Sequence, residues 1–214
     1  MKSPETGPPR RKTYRHGDLR RALVEAGTEL AREGGPDAVV LREATRRVGV
    51  APSAAYRHFA DRRALLDAVC SAAQSALAVA IEDELAGLPR GKDPAEAARA
   101  GLRGVGTGYL RFARSEPGLF RTAFSASDNL RSAASPARAG EGGLTPFQLL
   151  GAALDELVEA GVLPPGRRTG AEFLAWSAVH GLAMLLIDGP LRGLDEATAH
   201  NAGQRLIDMV ERGL

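Results

Sequence analysis

The chain has 214 residues, of which 44% are apolar and 5% aromatic, and its 28 basic and 26 acidic side chains leave a net charge of +2. This length and apolar content suffice for one or two globular domains. The single cysteine, Cys70, excludes an internal disulfide and a cysteine-rich zinc site, and we expect it in the core. Because neither a signal peptide nor an apolar run of about 18 residues stands out, we expect a soluble, cytoplasmic protein.

The charge is unevenly distributed along the chain. Residues 1–68 carry 14 basic and 9 acidic side chains, a balance of +5, whereas residues 69–214 carry 14 and 17, a balance of −3. A basic N-terminal part on a mildly acidic body is typical of nucleic-acid binding, because neutralising phosphates releases counterions. An ordinary solvated arginine face is the alternative that charge alone leaves open.

The composition favours an all-α fold. Few aromatic residues, abundant alanine and leucine, and no long alternation of apolar and polar residues predict about nine helices. Residues 1–13 combine three prolines with four basic side chains, so we expect a disordered basic arm there. From Tyr14 to Gly35, apolar residues recur along one stripe, which predicts the first helix.

Residues 38–66 are the most informative stretch of the sequence. A helix is predicted from 41 to 48, and Gly49 follows it where a left-handed cap is common. Pro52 can start a second helix, PSAAYRHF, because proline lacks only an N–H that would be unpaired at a helix start. Two short helices separated by about three or four turn residues form a helix-turn-helix.

A long helix is predicted from Asp61, its cap, to about residue 88, so that it links two parts of the chain. The next helix starts at Pro94 and carries a cluster of glycines. Each interior glycine costs about 0.5–1 kcal/mol relative to alanine, so the cluster indicates a bend or a close helix contact. A phosphate-binding loop is disfavoured because no strand precedes the cluster and the G-x-G-x-x-G order is missing. The glycines are Gly101, Gly104, Gly106 and Gly108.

The second half of the chain contains further helices around one irregular stretch. Residues 125–143 are small and polar and are predicted to form a mobile loop, between a short helix that starts at Pro117 and a helix that starts at Pro146. The helix predicted at about 169–188 is apolar on most sides, so it must be buried on most sides. A last helix is predicted at about 195–212.

The stretches YRHGDLRRALVEAGTELAREGG and GVAPSAAYRHFADRRALL resemble the first helix, the recognition helix and the following helix of the tetracycline-repressor (TetR) family of transcriptional regulators. The resemblance implies a DNA-binding domain of three helices over residues 14–60. It also implies a helical regulatory and dimerisation domain over residues 61–214, with a homodimer paired through the last two predicted helices.

The resemblance places the DNA contacts on and beside the recognition helix, whose N-terminal part would enter the major groove. Ala51 stands where Ser or Thr usually caps this helix, so we expect Ser53 or a phosphate to complete the cap. Ala55 stands where the family often has a larger residue, and both changes reduce the side chains available for contact. Phe59 is expected in the core instead. The predicted DNA-contact residues are Thr45, Arg46, Ser53, Ala54, Tyr56, Arg57, His58 and Arg62.

The C-terminal domain is expected to bind an unidentified small-molecule effector in an apolar cavity, without a metal or another cofactor. The four histidines have no metal-ligand spacing and no carboxylate lies one turn from His180, so a hydrogen-bonded packing role is favoured over a metal or catalytic role. Trp176, His180 and Gly181 are similar to a Trp-His-Gly signature of one TetR subgroup. The predicted cavity residues are Tyr109, Phe112, Phe120, Phe124, Phe147, Leu150, Trp176, His180 and Met184.

The expected function is that of a ligand-responsive, one-component repressor that binds palindromic operator DNA as a dimer and is not an enzyme. An effector would tilt the connecting helix and change the spacing of the two recognition helices. A sequence-tolerant architectural DNA-binding protein is one alternative, and a small helical enzyme using His180 is a more distant one. Activation instead of repression depends on where the operator lies, which the protein sequence does not contain.

Overall fold

The computed structural model describes residues 16–89, 91, 93–125 and 132–214, and within them the chain is all-α, as predicted. These residues form ten α-helices and three short 3-10 helices, and no strand. The predicted arm at residues 1–13 lies outside them, and the short α8 is not among the predicted helices. The α-helices are α1 (His16–Gly34), α2 (Leu41–Val48), α3 (Pro52–Ala55), α4 (Arg62–Ala86), α5 (Pro94–Ser115), α6 (Pro117–Ala123), α7 (Pro146–Glu159), α8 (Pro165–Arg168), α9 (Ala171–Ile187) and α10 (Glu196–Gly213).

Helices α2 and α3 form the predicted helix-turn-helix. Gly49 ends α2 in the left-handed conformation, with φ 75° and ψ 32°, and its N–H donates to the carbonyl of Arg46 at 3.2 Å. Helix α3 is shorter than predicted, because it ends at Ala55 and a turn follows. In this turn the N–H groups of His58 and Phe59 both donate to the carbonyl of Ala55 at 2.9 Å, and the ring of Phe59 enters the core.

Helix α4 runs through the middle of the molecule and packs against α1, α5 and α6. Asp61 caps it, since its carboxylate accepts from the N–H of Ala64 at 2.8 Å, and Cys70 lies on its buried side, as expected. The expectation that no apolar run of membrane length exists is wrong, because α4 is, by length and composition alone, long and apolar enough to cross a membrane. Its most apolar 18-residue window has a mean hydropathy of 1.7, and 39% of that window is buried within the protein. Its side chains with no exposed surface are Leu65, Val69, Cys70, Ala73, Leu77, Ala78 and Ile81.

Helix α5 carries the predicted glycine cluster, and the close helix contact is confirmed. A Cβ placed on Gly108 would lie 2.9 Å from the Cα of Ile81 in α4. A Cβ on Gly106 would lie 2.9 Å from the terminal carbon of Ile207 in α10. Glycine at these positions therefore lets α5 lie directly against both neighbours, at a distance that a larger residue would not permit.

Helix α6 is held against α1, so it joins the N-terminal helices to the C-terminal domain. At Gly118 a Cβ would overlap the carbonyl oxygen of Ala31 and lie 2.5 Å from that of Arg32. The guanidinium of Arg32 also donates through Nε to Oε2 of Glu116, the residue before α6, at 2.8 Å. Because this contact is closely packed, a shift of α6 would be transmitted to α1.

The segment predicted as a mobile loop, 125–143, is described in part. It contains two 3-10 helices, Ser132–Ala134 and Pro136–Arg138. The carboxylate of Glu82 in α4 accepts from the N–H groups of Glu141 and Gly142, at 2.9 and 3.1 Å. The end of the segment is thus anchored to α4. Residues 126–131 lie outside the described part of the chain, so the predicted mobility of the loop stays a prediction.

Helix α9 is apolar on most sides but only partly covered in the single chain. Leu174 is 65% exposed, and Phe173 and Leu185 are open to solvent as well. Met209 on the neighbouring α10 is 60% exposed. In the single chain no described helix covers this outer face, so burial of α9 on most sides stays a prediction.

The contact between α6 and α1 predicts that Gly118→Ala destabilises the protein. The added methyl group has no space between two backbone carbonyls, so we expect the free energy of unfolding in urea to fall by about 1–3 kcal/mol. Gly166→Ala is the matched control, because a Cβ at Gly166 meets nothing within 4 Å. The control should change stability by less than about 0.5 kcal/mol, and equal stability of the two variants would contradict the packing described.

Candidate nucleic-acid interface and apolar cavity

The recognition helix α3 and the turn after it present polar side chains to solvent. The ring of Tyr56 is 60% exposed, Ser53 and Arg57 are exposed, and Ala54 and His58 are half-buried. These five of the predicted contact residues thus lie on one short surface segment. A helix of this kind at the surface of a helix-turn-helix can be placed in a DNA groove.

The core beneath this segment explains the departures seen in the sequence. Phe59 is buried, as predicted, and the guanidinium of Arg20 lies over its ring at 5.3 Å. Ala55, the last residue of α3, is fully buried, so its side chain packs in the core. No side-chain hydrogen bond caps α3 at Ala51, and completion of the cap by Ser53 or a phosphate stays a prediction.

Two predicted contact residues form hydrogen bonds within the protein. Thr45 is 1% exposed and its hydroxyl donates to the carbonyl of Arg42 at 2.8 Å, so burial in α2 removes it from any phosphate. Arg62 donates through Nε to the carbonyl of Val39 at 2.8 Å and through Nη2 to that of Pro36 at 2.7 Å. Arg62 therefore ties the start of α4 to the connection between α1 and α2.

Arg46 is exposed beside the recognition helix but already has a partner. Its Nη2 and Nε lie 2.6 and 2.9 Å from the two carboxylate oxygens of Glu43. These hydrogen bonds, helped by the charge of Arg47, lower the pKa of Glu43. A phosphate would have to compete with Glu43 for this guanidinium, so Arg46 is a weaker candidate for DNA contact than the exposed Arg57.

A cavity of about 600 Å³ lies among the C-terminal helices, within the size range of small-molecule sites. Its wall comes from α4, α5, α6, α7, α9, α10 and the segment before α7. Phe112 and Phe120, predicted for the cavity, are buried in the core outside its wall, and Met184 packs against the core one turn beyond His180. The predicted residues that line it are Tyr109, Phe124, Phe147, Leu150, Trp176 and His180.

Several wall residues were not predicted. Gln74 of α4 and Ser177 of α9 line the cavity, as does Arg138 from the segment predicted as a mobile loop. Arg138 is buried, although arginine is rarely so. The amide of Gln74 donates to the carbonyl of Ala123 at 2.8 Å. No local sequence pattern identifies these residues, because each reaches the cavity only through the packing of distant segments.

Tyr109, Trp176 and His180 form a hydrogen-bonded group in the wall, the polar trio. The indole N–H of Trp176 donates to the Tyr109 oxygen at 3.2 Å, and that oxygen lies 2.8 Å from Nδ1 of His180. Burial raises the pKa of the Tyr109 hydroxyl and lowers the pKa of the His180 imidazole, so both groups are neutral at about pH 7. His180 is thus a hydrogen-bonded packing residue, as predicted. Among the described residues, no cluster of His, Cys, Asp and Glu could hold a metal ion.

Aromatic rings surround the polar trio. The ring of Phe124 lies 4.8 Å from that of His180 and 6.1 Å from that of Trp176, measured between centroids. The ring of Phe147 lies 5.9 Å from that of Trp176 in an edge-to-face arrangement. The cavity therefore combines flat apolar walls with a small group of convergent polar atoms, as small-molecule sites do.

Two family models match the chain. Residues 23–69 match the bacterial regulatory proteins of the tetR family, and residues 102–210 match the tetracyclin repressor-like C-terminal domain. The chain belongs to the TetR family. The first match contains the helix-turn-helix, and the second contains the polar trio. A TetR-family chain is a DNA-binding transcription regulator and not an enzyme, so the alternative of an enzyme using His180 is set aside.

Solved structures similar to this TetR-family chain extend over nearly its whole length. A protein of unknown function from Rhodococcus sp. RHA1 is 28% identical with a TM-score of 0.72, and the match covers 95% of this chain and 99% of that one. A TetR family transcription regulator from Marinobacter aquaeolei VT8 is 21% identical with a TM-score of 0.61, over 92% and 95%. A TetR variant from Acinetobacter baumannii AYE, solved in complex with minocycline, is 20% identical with a TM-score of 0.56, over 89% and 93%. Comparison with curated proteins gives no significant match.

The contacts of Arg62 predict that Arg62→Ala weakens the fold of the regulator. Two backbone carbonyls lose a charged donor, so we expect the free energy of unfolding to fall by about 1–3 kcal/mol. Arg63→Ala removes an exposed arginine one residue away and should change it by less than about 0.5 kcal/mol. Unchanged stability of Arg62→Ala in urea unfolding, together with weaker DNA binding, would instead favour the phosphate contact that the family resemblance implies.

Proposed function

We propose that this TetR-family regulator is a cytoplasmic, homodimeric repressor that binds a palindromic operator and releases it when a small-molecule effector enters the C-terminal cavity. The observation that carries the proposal is the exposed recognition segment, in which Tyr56 and Arg57 face solvent on a helix-turn-helix. The cavity supports the second part of the proposal, the binding of an effector. A core that served packing alone would leave no space of about 600 Å³ lined by aromatic rings.

The recognition segment has the chemistry that operator binding requires. The guanidinium of Arg57 can form two parallel hydrogen bonds with a guanine edge or a phosphate, and Ser53 can donate to either. The ring and hydroxyl of Tyr56 can lie against the sugar-phosphate backbone. These exposed side chains follow one another on α3 and its turn, so a single major-groove site would engage all three.

The homodimer is supported by the apolar outer face of α9 and α10. Phe173, Leu174, Leu185 and Met209 expose large apolar surface on the two helices through which the family resemblance places the dimer contact. An exposed apolar surface of this kind is typical of an association site. A twofold pair would place two recognition helices on successive major-groove faces, about 34–36 Å apart.

Helix α6 offers a route from the cavity to the operator. Phe124, at the end of α6, lines the cavity, whereas Gly118 and Glu116, at its start, contact α1. An effector that displaces Phe124 would therefore shift α1 and the recognition segment that packs on it. A coupling free energy of about 1–3 kcal/mol between the two sites is enough for regulation.

The Trp-His-Gly subgroup remains part of the proposal. Trp176 and His180 belong to the polar trio in the cavity wall, so two members of the signature lie at the proposed effector site. An architectural DNA-binding protein would have no use for this cavity. That alternative remains as one outcome of the DNA-binding experiment.

Specific operator binding predicts a large effect of Tyr56→Ala/Arg57→Ala. In a fluorescence-anisotropy titration with duplex from upstream of the protein's own gene, excess random DNA and two salt concentrations, this variant should bind about 10- to 100-fold more weakly than the wild type. Arg192→Ala, which removes an exposed arginine far along the chain, is the matched control and should bind like the wild type. Equal affinity for random DNA with a steep salt dependence would favour the architectural protein, and no binding to any duplex would refute the proposal.

The proposed dimer predicts that Leu174→Glu/Met209→Glu is monomeric. Charges placed on the apolar outer face cannot be buried without partners, so light scattering should give the mass of one chain instead of two. Leu144→Glu changes an exposed leucine outside α9 and α10, and it should leave the dimer intact. A wild-type monomer, or a double variant that stays dimeric, would rule out this interface.

A further inference from the structure

The polar trio always has one donor hydrogen left over. Tyr109, Trp176 and neutral His180 each carry one polar hydrogen, which makes three, and the chain of contacts between them uses two. If Tyr109 donates to Nδ1 of His180, the hydrogen left over is on Nε2 of His180. If Nδ1 donates to Tyr109, the hydrogen left over is on the Tyr109 oxygen. All three side chains belong to the cavity wall, so in either arrangement the wall contains one donor hydrogen that the trio itself does not use.

The remaining wall restricts the charge of a ligand. Among the described residues, no aspartate or glutamate lines the cavity, so nothing in this part of the wall would balance a cation. Of the wall residues that the structure describes, Arg138 is the one with a charge, and it already has an interaction within the protein. A carboxylate ligand would therefore lose its hydration and would have to compete for Arg138 with the partner that this residue already has.

The shape of the wall favours a flat ligand. Phe124, Phe147 and Trp176 line the cavity, and the centroid of each ring lies 4.8 to 6.1 Å from that of a neighbouring ring, so the wall offers apolar faces and edges on which a flat molecule can stack. The volume of about 600 Å³ is that of a site for a drug-sized molecule.

We propose that the cavity takes a flat, uncharged, mainly apolar molecule that carries a hydrogen-bond acceptor such as a ketone, and that the polar trio supplies the donor. The inference rests on the proposed function in treating this cavity as the effector site. It adds the chemical class of the effector and the residues that read its polar group.

Three matched probes test the ligand class: fluorenone, fluorene and fluorene-9-carboxylate. All three share a flat ring system. Fluorenone adds a neutral hydrogen-bond acceptor, fluorene has no acceptor, and fluorene-9-carboxylate adds a negative charge. Trp176 is the single tryptophan of the chain and lines the cavity, so quenching of its fluorescence locates the bound probe, and calorimetric titration measures the affinity. We expect fluorenone to bind about two- to tenfold more tightly than fluorene, the gain from one net hydrogen bond, and more tightly than the carboxylate.

A variant without polar hydrogens in the trio tests the source of the preference. Tyr109→Phe/Trp176→Phe/His180→Phe keeps aromatic rings in the wall, so fluorene should bind as it does to the wild type, and the preference for fluorenone should disappear. Removing fewer members would leave at least one unused donor hydrogen, which is why all three are changed. Ser177→Ala is the matched control, because it removes a wall hydroxyl outside the trio and should keep the preference.

The wild-type titrations decide the inference even if the triple variant fails to fold. Binding of none of the probes, fluorene as tight as fluorenone, or the carboxylate tighter than the ketone would each overturn it. In a folded triple variant, retained preference for fluorenone would overturn the role of the trio. These titrations contain no DNA, so a failure of the anisotropy experiment bears on the proposed function alone.

Discussion

The close approach of α4 and α5 at Gly108 holds the regulator together. Because Gly108 lets the two helices touch, α4 can run from the DNA-binding helices into the C-terminal core, and the next residue of α5, Tyr109, lies in the cavity wall. Gly106 brings α10 against another side of the same helix. A side chain at these positions would separate the helices, so one row of glycines sets both the path of α4 and the shape of the cavity.

In the proposed mechanism, helix α6 couples the cavity to the DNA-binding helices. Gly118 fixes its start against α1, and Phe124 brings its end to the cavity, only about 10 Å away along a helix of this length. Packed contacts of this kind shift as units instead of deforming continuously. If an effector weakens operator binding through α6, operator DNA must weaken effector binding by the same factor, because the coupling free energy is shared.

Helix α9 carries part of the proposed effector site on one face and the uncovered apolar surface of the single chain on the other. Its inner face contributes Trp176 and His180 to the polar trio, and its outer face exposes Leu174 and neighbouring apolar side chains. In the proposed dimer, the helix that reads the effector is also the helix that meets the second copy. A ligand-dependent tilt of α9 would then change the angle between the two chains as well as the position of α6.

Local signals in the sequence determined the helices and the family resemblance. Gly49 and Asp61 act within one helical turn, so the helix-turn-helix and the start of α4 follow from the residues themselves. Burial and long-range hydrogen bonds do not follow from the local sequence in this way. Only the tertiary structure turned Thr45 inward, directed Arg62 to two carbonyls more than twenty residues away and brought Arg138 into the cavity wall. Those roles depend on how distant helices pack, and no spacing along the chain encodes that packing locally.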